Sequence, residues 1–211
     1  MTPDLVVWRH GRTAYNNTER FQGHLDTPLD EVGHAQARAA AAVLASYGPA
    51  RVVTSDLQRA ASTADYLGAA AGVEVERDAR LREVDVGAWS GLTRTEIAER
   101  YPADHAAWMR GEDVRRGGGE VSGEVVERAS AAVRDRLPCE GPLVVCTHGG
   151  TSRDLVIALL GLPRQARTAF AVLGNAHWAA LARHGDGWRL VSYNVAAPAE
   201  ANADAAVEPV L

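Results

Sequence analysis

Short apolar segments alternate with longer alanine-rich segments along most of the chain, and few folds accommodate that order. Apolar runs at 6–8, 52–54 and 143–147 predict strands, whereas the segments at 30–47, 56–71 and about 154–160 predict helices. Strands that alternate with helices of this length are joined by right-handed crossovers. The pattern therefore predicts a three-layer α/β/α fold with a mostly parallel central sheet.

The last third of the chain departs from this alternation. Two apolar runs, 176–183 and 188–193, flank the sequence HGDG, in which Asp186-Gly187 is typical of a hairpin turn. The hairpin predicts an antiparallel edge on the sheet. We expect a single domain over 1–211, a small insertion or lid over the active site at about 86–121, and a flexible tail at about 196–211.

Composition excludes several classes of protein. The net charge of −5 argues against a nucleic-acid-binding protein. The chain has two cysteines, no apolar run of about 18 residues and no basic, apolar leader, so we expect a cytoplasmic protein without a membrane partner. The sequence leaves the oligomeric state open, with a homodimer among the options.

Polar residues follow three of the predicted strands. Arg9 and His10 come directly after the first strand, Arg59 lies one turn into the helix that follows the second, and His148-Gly149 follows the third. Since ligands bind at the carboxyl ends of parallel strands, these side chains are expected to meet at one edge of the sheet. Glycine at 149 would let the backbone approach a ligand closely.

This combination of side chains suits a phosphoryl group. Arginine offers a fork of donors to phosphate oxygens, and a neutral histidine nitrogen is a nucleophile. Glu83, in the sequence LREVDVGAWSG, is the candidate general acid for the leaving oxygen. No metal-ligand spacing and no cofactor-binding motif occurs, so we expect neither a metal nor a cofactor.

Each of these residues also has a structural explanation. A lone histidine after a strand is more often structural than catalytic, and we interpret the other five histidines in that way. Arg59 alone is equally typical of a helix surface, and Glu83 of a turn. Arg110, Arg115 and Arg116 are interpreted as a solvated face, with a lid as the alternative.

Six segments in order along the chain resemble the histidine phosphatase superfamily, in its phosphoglycerate-mutase-like branch. They are RHGRTAYN (9–16), QGHLDTPLDEVGHAQA (22–37), SDLQRAASTA (55–64), LREVDVGAWSG (81–91), THGG (147–150) and GNAHWAAL (174–181). A single Arg-His-Gly is a weak signal, but the ordered set covers most of the chain and is highly specific.

The resemblance implies a role for each matching position. His10 matches the nucleophile that becomes phosphohistidine, and Glu83 matches the proton donor. Three residues match the side chains that hold the phosphoryl group, namely Arg9, Arg59 and His148. Further pocket positions are Asn16, Gln22, Gly23 and Gly149, whereas Arg12 stands where relatives often carry Glu or Gln and makes the pocket edge more basic.

Within the superfamily the chain is most similar to glucosyl-3-phosphoglycerate phosphatases. The expected activity is therefore hydrolysis of a small phosphorylated metabolite, with Arg12 beside a substrate carboxylate. Two alternatives remain. A phosphoglycerate mutase would isomerise its substrate without net phosphate release, although such enzymes usually carry a longer insertion after the Glu83 position. A non-catalytic phosphate-binding regulatory module would usually have lost one of the five core residues.

Overall fold

The computed structural model describes residues 2–198, so the predicted tail lies mostly outside the described residues. Six strands occur in this range: β1 Leu5–Arg9, β2 Arg51–Thr54, β3 Val75–Arg77, β4 Leu143–Thr147, β5 Trp178–His184 and β6 Gly187–Val195. The α-helices are α1 Ala14–Asn17, α2 Glu31–Ala45, α3 Gln58–Ala71, α4 Arg94–Arg100, α5 Pro102–Met109, α6 Ser122–Arg134 and α7 Gly149–Leu159. Four 3-10 helices cover Ala79–Leu81, Gly87–Trp89, Arg116–Gly118 and Arg164–Ala169.

The six strands form one mixed sheet in the order β3-β2-β4-β1-β5-β6. β3, β2, β4 and β1 pair in parallel with one another, whereas β5 is antiparallel to both β1 and β6. Antiparallel pairing is thus confined to one side of the sheet, where the predicted hairpin lies. The predicted α/β fold class is confirmed.

Helices cover both faces of the sheet. Leu44 of α2 and Leu67 of α3 pack on the face that contains Val6 and Val144. Val133 of α6 and Leu155 of α7 belong to the core of the opposite face, together with Val7 and Val145. Successive residues of a strand point to opposite faces, so β1 and β4 are apolar throughout because both of their faces are covered.

The segment 86–121 has a small core of its own. Trp89 and Ile97 are fully buried there with Val86, and Phe21 and Trp108 pack against them. This core joins the segment to the main domain. Whether the segment acts as a lid stays a prediction.

The sequence RRGGGE (115–120) within this segment packs closely against the backbone of residues 85–89. A Cβ on Gly117, at φ 54°, would lie 2.4 Å from the carbonyl oxygen of Val86. The glycine therefore serves close backbone approach rather than mobility. Arg116, interpreted above as part of a solvated face, is buried with 9% of its surface exposed. That interpretation is wrong for Arg116, which lies next to Gly117, where the backbone packs closely against residues 86–89.

The helix predicted near 154–160 begins earlier, at Gly149. Its first turn has no capping side chain from its own N-terminus. Instead, the Glu83 carboxylate accepts hydrogen bonds from the backbone N–H groups of Gly150 and Thr151, each at 3.0 Å. Glu83, which is distant in sequence, thus pairs with backbone N–H groups that a capping side chain usually satisfies. This contact explains why Gly149 and Gly150 belong to the helix.

Candidate active site

The carboxyl ends of β1, β4 and β2 meet at one edge of the sheet. β4 lies between β1 and β2, with Arg9 in register with Thr147 and Thr54 with Cys146. The next residue along β1, His10, donates its backbone N–H to the Thr147 carbonyl at 2.9 Å. The imidazole rings of His10 and His148 consequently lie 5.1 Å apart, centroid to centroid.

His10 is a buried, neutral imidazole. Its Nδ1 lies 2.6 Å from the carbonyl oxygen of Gly11, and because a carbonyl only accepts, Nδ1 carries the proton. The lone pair is then on Nε2. Burial, reinforced by the charges of Arg59 and Arg9, holds the pKa of His10 well below its usual value. His10 therefore stays unprotonated at neutral pH, as a nucleophile requires.

His148 has the opposite tautomer. Arg59 donates from Nε to Nδ1 of His148 at 3.1 Å, so Nδ1 is the acceptor and Nε2 carries the proton. That Nε2 is buried and has no hydrogen-bond partner within residues 2–198. Burial and the charge of Arg59 also lower the pKa of His148. His148 is therefore a neutral donor beside a second neutral imidazole.

Two buried arginines lie next to the histidine pair. Arg59 is fully buried and donates from Nη1 to the Leu25 carbonyl at 2.6 Å and from Nη2 to the Gly23 carbonyl at 2.8 Å. With its Nε bond to His148, three of its five N–H groups have partners in the described part of the chain. Burial lowers the pKa of Arg59 to about 10, so it stays a cation at neutral pH.

Arg9 is the second buried cation, with 6% of its surface exposed. Its Nη1 donates to the Leu173 carbonyl at 2.6 Å, which fixes the guanidinium across the start of α7. A Cβ on Gly149 would lie 3.3 Å from Nε of Arg9 and 2.8 Å from Cγ1 of Val172. Glycine at 149 thus makes room for the Arg9 side chain and for a close approach to the helix N-terminus.

The Glu83 carboxylate lies against the first turn of α7, at the edge of the site. Besides the N–H groups of Gly150 and Thr151, it accepts the backbone N–H of Val84 at 2.9 Å. Burial raises the pKa of Glu83, but these three hydrogen bonds and the charge of Arg59 together lower it below its usual value. In the ligand-free site Glu83 is consequently ionised at neutral pH.

The remaining predicted pocket residues lie in the segment that follows β1, with Asn16 in α1 and Gln22 in the loop after it. Asn16 Oδ1 accepts hydrogen bonds from the backbone N–H of Thr13 at 3.1 Å and from Nδ2 of Asn175 at 3.2 Å. Gln22 Oε1 accepts from Oγ1 of Thr13 at 3.1 Å. Both amide oxygens are therefore engaged, which leaves their NH₂ groups as the donors for a ligand.

Gly23 contacts a residue that bonds to the histidine pair, whereas Arg12 pairs with a carboxylate at the pocket edge. The Gly23 carbonyl accepts from Arg59, so the loop that contains Gly23 supports the buried cation directly. Arg12 forms an ion pair with Asp30, with 2.9 Å between Nε and Oδ2, and about a quarter of each side chain is exposed. Asp30 therefore offsets much of the charge that Arg12 brings to the pocket edge.

Several supporting residues were not predicted from the sequence. Arg128 of α6 donates from Nη2 to the Glu83 carbonyl oxygen at 2.9 Å and bonds to Glu120. His24, interpreted as structural, lies with Nε2 2.8 Å from the same carbonyl oxygen. Asn175 donates to the His10 carbonyl at 3.3 Å. Asn175 and His24 lie in segments that the resemblance covered, whereas Arg128 does not, and nothing in the spacing of Arg128 or His24 indicated these contacts.

Residues 2–198 contain no group of three or more histidine, cysteine, aspartate or glutamate side chains placed to hold a metal ion. Across the same range, no helix has the length and apolar character to cross a bilayer. That catalysis needs no metal stays a prediction.

A histidine pair and two buried arginines at the carboxyl edge of a mixed α/β sheet suit the binding and transfer of a phosphoryl group. Residues 5–196 match the model of the histidine phosphatase superfamily (branch 1). The chain belongs to this family. The family and the phosphatase class predicted from the motifs are confirmed.

Relatives with assigned names are similar over nearly the whole chain. A glucosyl-3-phosphoglycerate phosphatase from Mycolicibacterium vanbaalenii is 38% identical, over 92% of this chain and 95% of that protein. A protein of the same name from Mycobacterium tuberculosis is 40% identical over 85% of each chain. The solved structure of a mycobacterial glucosyl-3-phosphoglycerate phosphatase in complex with VO3 is 39% identical and covers 91% of this chain and 99% of its own, with a TM-score of 0.85.

Proposed function

We propose that this protein hydrolyses phosphomonoesters of small metabolites through a phosphohistidine at His10. The observation that carries the proposal is the pair of opposite tautomers. His10 presents the lone pair of Nε2, whereas His148 presents an N–H at the same position of its ring. One imidazole is thus ready to attack phosphorus and the other to bind a phosphoryl oxygen.

In the first step, Nε2 of His10 forms a bond to phosphorus and the bond from phosphorus to the ester oxygen breaks. Arg9, Arg59 and His148 donate to the phosphoryl oxygens, whose charge rises in the transition state. The leaving oxygen takes a proton from Glu83. Nδ1 of His10 keeps its proton, which the Gly11 carbonyl stabilises as the ring becomes positive.

Glu83 is ionised in the free enzyme, so its proton has to arrive with the substrate. A phosphate monoester has a second pKa of about 6, and its monoanion brings one proton into the site. A bound phosphoryl group also places negative charge beside Glu83, which raises the pKa of that carboxyl. In the second step water attacks phosphorus, Glu83 takes a proton from the water, and the bond to His10 breaks.

For the natural substrate we propose glucosyl-3-phosphoglycerate or a closely similar phosphoglycerate ester. The similarity to the mycobacterial relatives supports this substrate. Asn16, Gln22, Gly23 and Gly149 would line its binding site, with Arg12 at the edge. A phosphoglycerate mutase and a silent binding module are not favoured.

The test is a pair of assays on one enzyme preparation. The first measures phosphate released from glucosyl-3-phosphoglycerate, and the second measures 3- to 2-phosphoglycerate isomerisation in the presence of bisphosphoglycerate. We expect release to be the faster reaction. Isomerisation that exceeds phosphate release by a factor of about ten would reassign the chain as a mutase. If the protein catalyses neither reaction and releases phosphate from no other phosphomonoester, the non-catalytic binding module is the remaining explanation.

We also propose a cytoplasmic location and a homodimer. Cys139 and Cys146 are unpaired, which is consistent with a reducing compartment. The edge strand β6 pairs on one side with β5, and Val191 on it is 44% exposed, so an edge-to-edge contact with a second copy is available. Cell fractionation and sedimentation equilibrium test the two points.

A further inference from the structure

A second group of basic side chains lies near Glu83, and the reaction above does not use it. We call Arg116, Arg153 and Arg167, gathered around Asp154, the arginine cluster. Arg116 belongs to the 3-10 helix Arg116–Gly118, Arg153 and Asp154 belong to α7, and Arg167 belongs to the 3-10 helix Arg164–Ala169. Three separate segments therefore bring three cations together.

The arginine cluster is short of negative charge. Nε of Arg167 lies 2.5 Å from Oδ1 of Asp154, and 15% and 2% of the two side chains are exposed. No other ion pair reaches the three guanidinium groups within residues 2–198. One carboxylate thus faces three cations in a buried setting, where an uncompensated charge is costly.

Several atoms of the cluster are buried without a hydrogen-bond partner in the described part of the chain. They are Nε of Arg153, Nε and Nη2 of Arg167, and Oδ2 of Asp154, since the close Arg167–Asp154 pair is not aligned for a hydrogen bond. Arg116 is nine-tenths buried, and across residues 2–198 its side chain makes neither a hydrogen bond nor an ion pair. Native structures rarely leave buried polar atoms unpaired, so the donors among these atoms are available to an anion.

The cluster adjoins the part of the site where the leaving group must lie. Gly150 donates to Glu83, and Arg153 and Asp154 follow three and four residues later on the same face of α7. Burial and the charge of Arg167 lower the pKa of Arg116, whereas the nearby charges of Glu83, Asp154 and Asp113 raise it. The cations that act on His10 are different ones, Arg59 and Arg9.

We propose that the arginine cluster is a second anion subsite, which binds a carboxylate or phosphate on the leaving-group part of the substrate. This inference rests on the proposed function, in which Glu83 contacts the leaving oxygen. A group attached a few bonds beyond that oxygen comes within reach of Arg116, Arg153 and Arg167. Guanidinium groups bind either anion through paired N–H donors.

The subsite assigns the acidic group of the substrate to the buried cluster rather than to Arg12. Asp30 already offsets the charge of Arg12, whereas the cluster has more cations than anions. Binding energy from this remote group positions the phosphoryl ester against His10. The cluster residues are therefore specificity residues, and the chemistry stays with His10 and Glu83.

The first experiment measures binding and does not depend on turnover. Isothermal titration compares three phosphonates of one chain length: propylphosphonate, 3-phosphonopropionate and propane-1,3-bisphosphonate. We expect 3-phosphonopropionate, propane-1,3-bisphosphonate or both to bind the wild type about tenfold or more tightly than propylphosphonate, because each has a second anionic group. The compound that binds more tightly distinguishes a carboxylate subsite from a phosphate subsite. Equal affinities for all three would overturn the proposal.

The second experiment removes cluster charges one at a time. The preference is the affinity for the phosphonate with a second anionic group divided by the affinity for propylphosphonate. Arg153→Gln and Arg167→Gln should reduce this ratio by a factor of about five or more, while Arg164→Gln should leave it unchanged. Arg164 is the matched control because it lies on the same 3-10 helix as Arg167 but does not pair with Asp154: it donates to the Gly111 carbonyl, and its Nε lies 3.9 Å from Oδ2 of Asp113. Two substitutions on different segments guard against one variant that fails to fold.

The third experiment measures the same preference in catalysis. The kcat/KM for 3-phosphoglycerate, relative to glycerol 3-phosphate, should fall in Arg153→Gln and Arg167→Gln and stay unchanged in Arg164→Gln. Equal losses on both substrates, or a loss of preference in Arg12→Gln alone, would contradict the subsite. If the wild type does not release phosphate from any ester, the proposed function is wrong. The phosphonate titrations still decide whether the subsite exists.

Discussion

At the scale of single residues, the site depends on which nitrogen of each histidine carries a proton. The Gly11 carbonyl sets the tautomer of His10, and the Arg59 guanidinium sets that of His148. Neither contact involves a ligand, so the site is prepared before the substrate binds. Such preorganisation avoids a rearrangement during the reaction.

Replacement of His10 by asparagine should abolish turnover and spare binding. The amide lacks a nucleophilic nitrogen, whereas Arg9, Arg59 and His148 remain to hold a phosphoryl oxygen. We expect kcat to fall by about three orders of magnitude or more, with the affinity for inorganic phosphate changed by less than about tenfold. Stopped assays and titration with inorganic phosphate measure the two quantities. Residual turnover above about one percent would indicate another nucleophile.

Glu83→Gln should affect substrates according to their leaving group. The amide cannot deliver a proton, so hydrolysis of sugar or glycerate phosphates should fall by about a hundredfold or more. p-Nitrophenyl phosphate should lose much less, because its leaving group departs without protonation. A parallel assay of both esters is the measurement, and equal losses would exclude Glu83 as the acid.

The wild-type pH profile follows from the same residue. Because the pKa of Glu83 is lowered in the free enzyme, the proton comes from the substrate monoanion, whose pKa is about 6. The kcat/KM for a sugar phosphate should therefore decrease as the pH rises above about 6. A constant kcat/KM between pH 6 and 8 would contradict this origin of the proton.

At the scale of elements, tight backbone contacts hold the segment 86–121 in place. Gly117 and Gly118 both have positive φ, 54° and 82°, but only a Cβ on Gly117 would meet neighbouring atoms. Gly117→Ala should lower the free energy of unfolding by about 1–3 kcal/mol more than Gly118→Ala, because the added methyl group displaces the backbone near Val86. Urea unfolding of both variants measures the difference, and equal effects would mean that the contact with Val86 contributes nothing.

The elements also show what sequence patterns resolve. The strands at 52–54 and 143–147 were predicted from apolar runs, and the site followed because parallel strand ends share one edge. The early start of α7 and the burial of Arg116 were missed. Both depend on long-range contacts, the first with Glu83 and the second with the backbone around Gly117, which local patterns do not encode.

At the scale of the whole molecule, we predict that buried arginines supply the positive charge that a metal ion would otherwise supply. Arg9 and Arg59 are buried at the proposed phosphoryl site, and arginine charge does not depend on pH near neutrality. Phosphate release should therefore be unchanged after dialysis against EDTA. Loss of activity that magnesium or manganese restores would show that the arginines are insufficient.

The buried histidines should also make folding stability depend on pH. Burial lowers the pKa values of His10 and His148 well below their usual value, whereas in the unfolded chain both titrate near about 6.5. Below that pH the unfolded state binds more protons, so stability is complete above about 6.5 and falls as the pH decreases from there, with a slope of up to about 1.4 kcal/mol per pH unit for each histidine. Urea unfolding of the wild type between pH 7.5 and 5.5 should show this loss.

Matched variants distinguish the contribution of the two buried histidines to this pH dependence from that of the other titratable groups. His10→Asn and His148→Asn should each make the stability profile shallower by about one proton, since asparagine does not titrate. His184→Asn is the control, because His184 lies exposed beside the β5–β6 turn. This window lies above the range in which paired carboxylates such as Glu83 are protonated, so they do not obscure the comparison. An identical slope in all four proteins would mean that neither active-site histidine is held neutral by the fold.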